Sequence, residues 1–206
     1  LTGGLRYTVE HRSVRANGER LFDNPPFTRP IPGIPLFNEE PLHNEETFRE
    51  FSWRASLDRK LSDSLMAYFS ASRGFQSGGW NLQTPQSPAF APERLNAYEA
   101  GQKFAQPTGR VRANASAFHY DYRDLQVSVF SPLGSVTTNA TSADIFGIDL
   151  QVAARLSQRT EVSFGAQWLK ARFNRFSNAT CTDYSPDAAV PYAPISCAAT
   201  HNRLPF

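Results

Sequence analysis

His119 and Asp121 are the residues whose types and spacing most invite chemistry. At i and i+2 they share one side of an extended strand, with Asp124 close behind. Imidazole and carboxylate both ligate metal ions. Two ligands on one strand do not close a coordination sphere, so they read as polar groups near the rim of a sheet, and no metal is expected. Phe75-Gln76-Ser77-Gly78-Gly79 is a near miss to a nucleophile elbow, lacking the first glycine and the strand-to-helix setting. It also lacks the Gly-Lys-Ser/Thr of a phosphate-binding loop. Glu39, Glu40, Glu45 and Glu46 form an acidic group that reads as a solvated loop. Cys181 and Cys197 are the two cysteines. Joining them would close a modest loop and restrict the unfolded chain, as an oxidising compartment permits. A structural disulfide is expected, with two free thiols as the alternative. Asn114-Ala115-Ser116, Asn139-Ala140-Thr141 and Asn178-Ala179-Thr180 match the glycosylation sequon and read as chance matches. These residues point to no enzyme and no cofactor.

The elements that position these groups are set by composition and period. The chain has 206 residues, 40% of them apolar and 19% charged, with 16 Phe, 7 Tyr and 3 Trp. That aromatic content argues against disorder, and a formal charge of +2 supplies no field for nucleic acid. Mean hydropathy is −0.44, and no window offers the run of apolar residues that a membrane helix needs. A membrane barrel stays open, because half of each of its strands is polar.

Seven segments alternate apolar and polar residues. They run through Leu5–Val9, Phe51–Leu57, Leu65–Ala71, Asn96–Phe104, Val111–Tyr122, Phe146–Val152 and Val162–Trp168. A period of two over such lengths specifies strands, and no helical period competes. In the fifth segment the apolar phase slips at Phe118, as a bulge or a change of environment would produce. Short turns at Asp58–Asp63, Ala105–Gly109 and Arg155–Arg159 alternate with long links at Ser13–Thr47, Gly74–Arg94 and Phe130–Ser142, and a tail follows Asn174. One face carries aromatics near the strand ends (Tyr7, Trp53, Tyr98, Phe104, Phe146, Trp168). The other carries Arg6, Glu10, Arg54, Glu99, Lys103 and Asp149. The expectation is an all-β fold of antiparallel up-and-down strands, about seven of them. They would form part of a transmembrane β-barrel wall with long extracellular loops and short periplasmic turns.

Four motifs carry a family resemblance. Leu65 to Asn81 reads LMAYFSASRGFQSGGWN. Pro92-Glu93 is followed by Ala97-Tyr98-Glu99-Ala100-Gly101, and Ala117 to Gln126 reads AFHYDYRDLQ. Asn139-Ala140 then precedes Phe146-Gly147-Ile148-Asp149-Leu150. In this order and spacing the chain resembles the barrel of TonB-dependent outer-membrane receptors. Gln76 departs from the basic residue common in that motif, and Gln102 stands at a position usually apolar and lipid-facing.

The resemblance implies a Gram-negative outer-membrane protein that takes up a scarce nutrient, most often a ferric siderophore, by energy-coupled transport. Its partners would be outer-membrane lipid, the small ligand and, through a plug domain, the TonB complex. Residues 1–206 read as a single partial domain, an internal fragment without the plug and the C-terminal strands. The chain's end near Asn202 reads as the start of another strand. Ligand contacts are expected from the loop-proximal Arg73, Gln76, Trp80, Asn81, Tyr122 and Arg123, since Arg and aromatic groups suit anionic or catecholate ligands. A passive porin-like barrel and a soluble β-sandwich carbohydrate-binding module are the alternatives.

Overall fold

The computed structural model describes residues 1–16, 42–81, 88–131, 134–176, 179–184 and 192–203. Seven strands follow one another across a single sheet in chain order: β1 (Thr2–Ala16), β2 (Leu42–Lys60), β3 (Leu65–Gln76), β4 (Glu93–Ala105), β5 (Val111–Ser131), β6 (Gly134–Arg155) and β7 (Glu161–Arg175). Every neighbouring pair is antiparallel. A separate hairpin joins β8 (Ala179–Tyr184) to β9 (Tyr192–Cys197). The all-β, up-and-down expectation holds. The strands of the seven-stranded sheet span 12 to 22 residues, well beyond the five or six usual in globular sheets.

Register sorts the side chains. Leu5 stands opposite Trp53 and Tyr7 opposite Phe51. Leu57 faces Phe69, Ala115 faces Leu150, and Val152 faces Phe164. These residues share the apolar face, and nothing covers it: Leu5 is 79% exposed, Phe164 61% and Trp168 55%. A soluble sandwich packs such a face against a second sheet. None lies over it among the described residues.

The polar face is built differently. Tyr68 lies across from Gly101 and Phe118 across from Gly147. A Cβ on Gly101 would sit 2.7 Å from the Tyr68 ring, and one on Gly147 2.3 Å from Phe118 Cζ. Each glycine leaves room for an aromatic ring to lie flat on the neighbouring strand. The Tyr68 hydroxyl donates to Glu99 Oε1, and Lys103 Nζ stands 5.3 Å from the Tyr68 ring centroid, within cation–π range.

The short turns stand where the sequence puts them. In the β4–β5 turn, Gly109 N–H donates to the Gln106 carbonyl at 2.8 Å, and Gly109 adopts φ 68°. Pro107 occupies the second position, which its fixed φ suits. Leu61 N–H closes the β2–β3 turn on the Leu65 carbonyl at 2.8 Å, and Leu156 N–H closes the β6–β7 turn on Thr160 at 2.9 Å.

Two expectations change, and one left open between two alternatives resolves. Phe130–Ser142, read as a loop, is mostly strand, because β5 and β6 stay paired from Leu125↔Ala140 out to Ser131↔Gly134. Its Val, Thr and Phe residues are good strand formers, and the Ser, Thr, Gly and Pro among them made the stretch resemble a loop. The tail after Asn174 contains the β8–β9 hairpin. The phase slip at Phe118 is a change of environment, since register runs unbroken through it in both ladders. Phe118, Tyr120 and Tyr122 belong to the polar face.

Beyond β9 the chain returns to β7. Phe173 N–H donates to the Asn202 carbonyl at 2.9 Å, His201 N–H to the Phe173 carbonyl at 2.7 Å, and Arg172 bridges Arg203 in antiparallel sense. This contact is an isolated bridge, at the place where a strand start is expected.

The glycine contrast is testable. Gly147→Ala should lower stability by about 1 kcal/mol or more by displacing Phe118. Gly165→Ala, with nothing within 4 Å of its added Cβ, should be neutral or slightly stabilising. Urea-unfolding midpoints of the two variants check both.

Candidate functional site

Conventional burial is concentrated at the end of the sheet where the long connections lie, the loop rim. Ala140, Ala143, Phe173 and Phe176 form a small core there, with Tyr122, Leu125, Val127, Val129, Cys197 and Ala199 packed against it. Phe48 and Glu50 are buried at the same end of β2. Elsewhere the sheet is one layer thick, so loop-end side chains decide what shape the rim holds.

Three side-chain amides lace the β3–β4 connection to the extended β5–β6 hairpin. Asn81 Nδ2 donates to the Thr137 carbonyl at 2.8 Å while its Oδ1 accepts from Thr137 N–H at 2.7 Å. Asn139 makes the same double bond with Ala91, accepting from its N–H at 2.8 Å and donating to its carbonyl at 3.0 Å. A primary amide carries a donor and an acceptor side by side, so it mimics one step of a β-ladder. Gln126 is the third. Its Nε2 donates to the carbonyls of Ser77 and Ala91 at 3.0 and 3.1 Å, and its Oε1 accepts from Gln76 Nε2 at 3.0 Å. Glu93 Oε2 accepts from the Gln126 backbone N–H at 2.8 Å.

The connection is also closed on itself. Gly79 and Phe90 exchange backbone hydrogen bonds of 3.1 and 2.7 Å. A Cβ on Gly78 would lie 2.2 Å from the Phe90 carbonyl oxygen and 2.7 Å from the Phe48 ring. Gly78 is needed for space, and its φ is not left-handed. Its carbonyl accepts from Arg12 Nη1 at 2.9 Å, tying β1 to the same connection.

An ion-pair bridge spans the remaining gap. Above Trp53↔Arg73, β2 no longer pairs with β3. Arg94 of β4 crosses to Glu50 of β2, its Nε donating to Oε1 and Oε2 at 3.1 and 3.0 Å, while its Nη1 reaches Asp124 Oδ2 at 3.2 Å. Glu50 is 5% exposed. Asp124 takes φ 54°, a left-handed conformation uncommon outside glycine, and its carbonyl accepts from Asn139 Nδ2 at 2.7 Å.

The six residues expected to meet ligand divide. Gln76 and Asn81 belong to the laced network, Trp80 is half-buried between them in sequence, and Tyr122 packs on the small core. Arg73 stands opposite Trp53, and Arg123 pairs with Asp121 at 3.2 Å; by register both belong to the side of the sheet that carries the apolar face. Arg73 Nε is buried with no hydrogen-bond partner among the described residues. Cys197 is disulfide-bonded, while the Cys181 side chain lies outside the described residues. Glu39 and Glu40 also lie outside them. His119 Nε2 stands 3.6 Å from Asp144, and among the described residues no group of three His, Cys, Asp or Glu is placed to hold a metal ion. Sequence reasoning missed Glu50, Arg94, Gln126 and Asn139 as a site. Of these, Gln126 and Asn139 stood in the quoted motifs.

A family model described as TonB dependent receptor-like, beta-barrel, matches residues 1–205. Among solved structures, the chain is similar to the ferric yersiniabactin uptake receptor FyuA from Yersinia pestis, at 18% identity and a TM-score of 0.63, covering 83% of this chain and 24% of that one. It is similar to the siderophore receptor PiuA from Acinetobacter baumannii, at 14% identity and a TM-score of 0.57, covering 80% and 23%. It also resembles the closed form of the ferric-catecholate import receptor Fiu from K12 E. coli, at 18% identity and a TM-score of 0.53, covering 88% and 26%. At these identities the likeness is one of fold. The chain spans about a quarter of the length of those structures.

Two rim contacts give measurable expectations. Asn81→Ala removes both partners of Thr137 and should accelerate amide hydrogen exchange at Thr137, with a loss of about 1–2 kcal/mol. Glu50→Ala leaves the half-buried Arg94 with Asp124 and should cost about 2 kcal/mol, less than a fully buried pair because Arg94 also reaches solvent. The double variant Glu50→Ala/Arg94→Ala should recover part of that loss in urea unfolding.

Proposed function

Because this chain belongs to the TonB-dependent receptor-like β-barrel family, we propose that it forms a section of wall in an outer-membrane receptor that takes up a ferric siderophore. The sorting of the two faces carries this reading. One side of the sheet is an uncovered apolar surface, with Leu5, Phe69, Phe104, Ile148 and Val162 exposed. A lipid bilayer is the environment in which that exposure costs nothing. The opposite side places Arg6, Arg54, Glu99, Lys103 and Asp149 in mid-strand, as a water-lined or plugged lumen requires.

Residues 1–206 act in this reading as one partial domain, with the plug and the other strands supplied by the rest of the receptor. The long connections are extracellular and the short turns periplasmic. Transport is energised through TonB acting on the plug. Three similar receptors bear names of ferric yersiniabactin, siderophore or ferric-catecholate ligands, which favours an iron chelate as cargo. At the rim, Gln76, Trp80, Asn81 and Tyr122 are the proposed contacts, the aromatic pair stacking on the chelate. Arg73 and Arg123 lie on the other side of the sheet and are assigned a secondary part, holding the strand ends.

Two measurements test this. Leu150→Arg, at the middle of the apolar face, should destabilise the receptor in phospholipid vesicles by about 2–4 kcal/mol, and Gln151→Arg, on the opposite face, by far less. Equal costs would remove the membrane assignment. Uptake of a labelled ferric catecholate by cells carrying the receptor should stop when a protonophore collapses the inner-membrane gradient. Trp80→Ala/Tyr122→Ala should weaken binding roughly tenfold. Uptake that persists without the gradient would favour the passive porin-like barrel.

A further inference from the structure

The short-turn rim carries a second chemistry. Residues 58–63, 106–112 and 155–161 hold six cations, Arg59, Lys60, Arg110, Arg112, Arg155 and Arg159, against three acids, Asp58, Asp63 and Glu161. Glu161 is shared by Arg112 at 3.1 Å and Arg155 at 3.6 Å. Arg59, Lys60, Arg110 and Arg159 are exposed, and none has a carboxylate within ion-pair distance among the described residues. These side chains do not hold the turns together. The turns are closed by backbone hydrogen bonds and by the Ser62 and Ser157 hydroxyls, which accept from Ser64 and Arg159 N–H at 3.3 and 3.2 Å.

Leucines stand among the cations. Leu61 continues the alternation of Leu57 and Arg59, and Leu156 that of Val152 and Ala154, so both extend the apolar face down to the turns. They are 54% and 70% exposed. A soluble anion needs no apolar surface beside its phosphate site, whereas a phospholipid presents its phosphate directly above its acyl chains. Long basic side chains at such a boundary lay their stems along apolar surface and raise the charged head to the interface.

We propose that this rim binds the phosphate headgroups of anionic phospholipid through Arg59, Lys60, Arg110 and Arg159, with Leu61 and Leu156 seated in the adjoining acyl layer. The proposal rests on the membrane-spanning reading above and adds a lipid preference to it. Each unpaired cation can take one phosphate, and headgroups with a net negative charge are favoured over zwitterionic ones. The site is independent of the loop rim and of any transported ligand.

Native mass spectrometry of the full-length receptor tests this after reconstitution in phosphatidylethanolamine bilayers with and without phosphatidylglycerol. Wild type should retain phosphatidylglycerol over phosphatidylethanolamine by roughly fivefold or more. The variant Arg59→Gln/Arg110→Gln/Arg159→Gln should fall to parity, while Lys170→Gln/Arg172→Gln, at the opposite end of β7, should keep the preference. Insertion without any preference in wild type overturns the proposal alone, as does a triple variant that keeps it. Equal loss in the β7 control overturns the assignment to this rim. Failure of wild type to enter bilayers overturns it together with the membrane reading.

Discussion

Antiparallel register is the constraint on which the structure depends, because the described sheet is a single layer whose two faces carry unlike side chains. A slip of one residue would carry Leu150 and Phe164 to the side of Asp149 and Gly165, and the charges to the apolar side. Ladder hydrogen bonds do not oppose such a slip, since every register pairs backbone groups equally well. Side-chain fit does. The Tyr68 ring needs the space over Gly101, and Phe118 needs that over Gly147. In a displaced register each ring would meet a side chain. Glycine thus acts here as a socket, in positions where intrinsic propensity disfavours it.

The loop rim solves a different problem. With no second layer, the long connections must be held by contacts that do not depend on a hydrophobic interior. Side-chain amides serve this purpose, because Asn81 and Asn139 each satisfy an N–H and a C=O of a distant backbone residue. The small apolar core under Phe173 and Phe176 and the Arg94–Glu50 bridge complete the assembly. The rim is thus laced by hydrogen bonds where the sequence is polar.

Much of the wall was legible in the sequence. Alternation identified all seven strands of the sheet, because a half-buried strand leaves a period of two in its residue types. The short turns were marked by Pro107 and Gly109 and by Ser and Asp clusters. The outer β5–β6 hairpin was not legible, since Ser135, Thr137 and Thr138 suit a strand and a loop alike. The lacing could not be read either. Gln126 meets Ser77 and Ala91 across 49 and 35 residues, and nothing local in the chain encodes that meeting. The need for glycine at Gly78 is equally hidden, because it comes from the close approach of the Phe90 carbonyl. Arg73 and Arg123 were chosen for nearness to loops, and parity along their strands already placed them on the opposite side from Tyr122.

Above Trp53 the first two strands part from the third, and this has a mechanical consequence. The outer half of the β1–β2 hairpin is a cantilever whose root is the last β2–β3 pair. Its tip is stayed by a few side-chain contacts: Arg12 to the Gly78 carbonyl, Phe48 against Gly78, and Glu50 to Arg94. A ladder resists bending along its whole length, but a stayed beam pivots when one stay is shortened or released. Among the described residues, Arg12, Phe48 and Glu50 help to set the pose of this arm, and exchanging any of them would re-aim it while leaving the paired wall below in place.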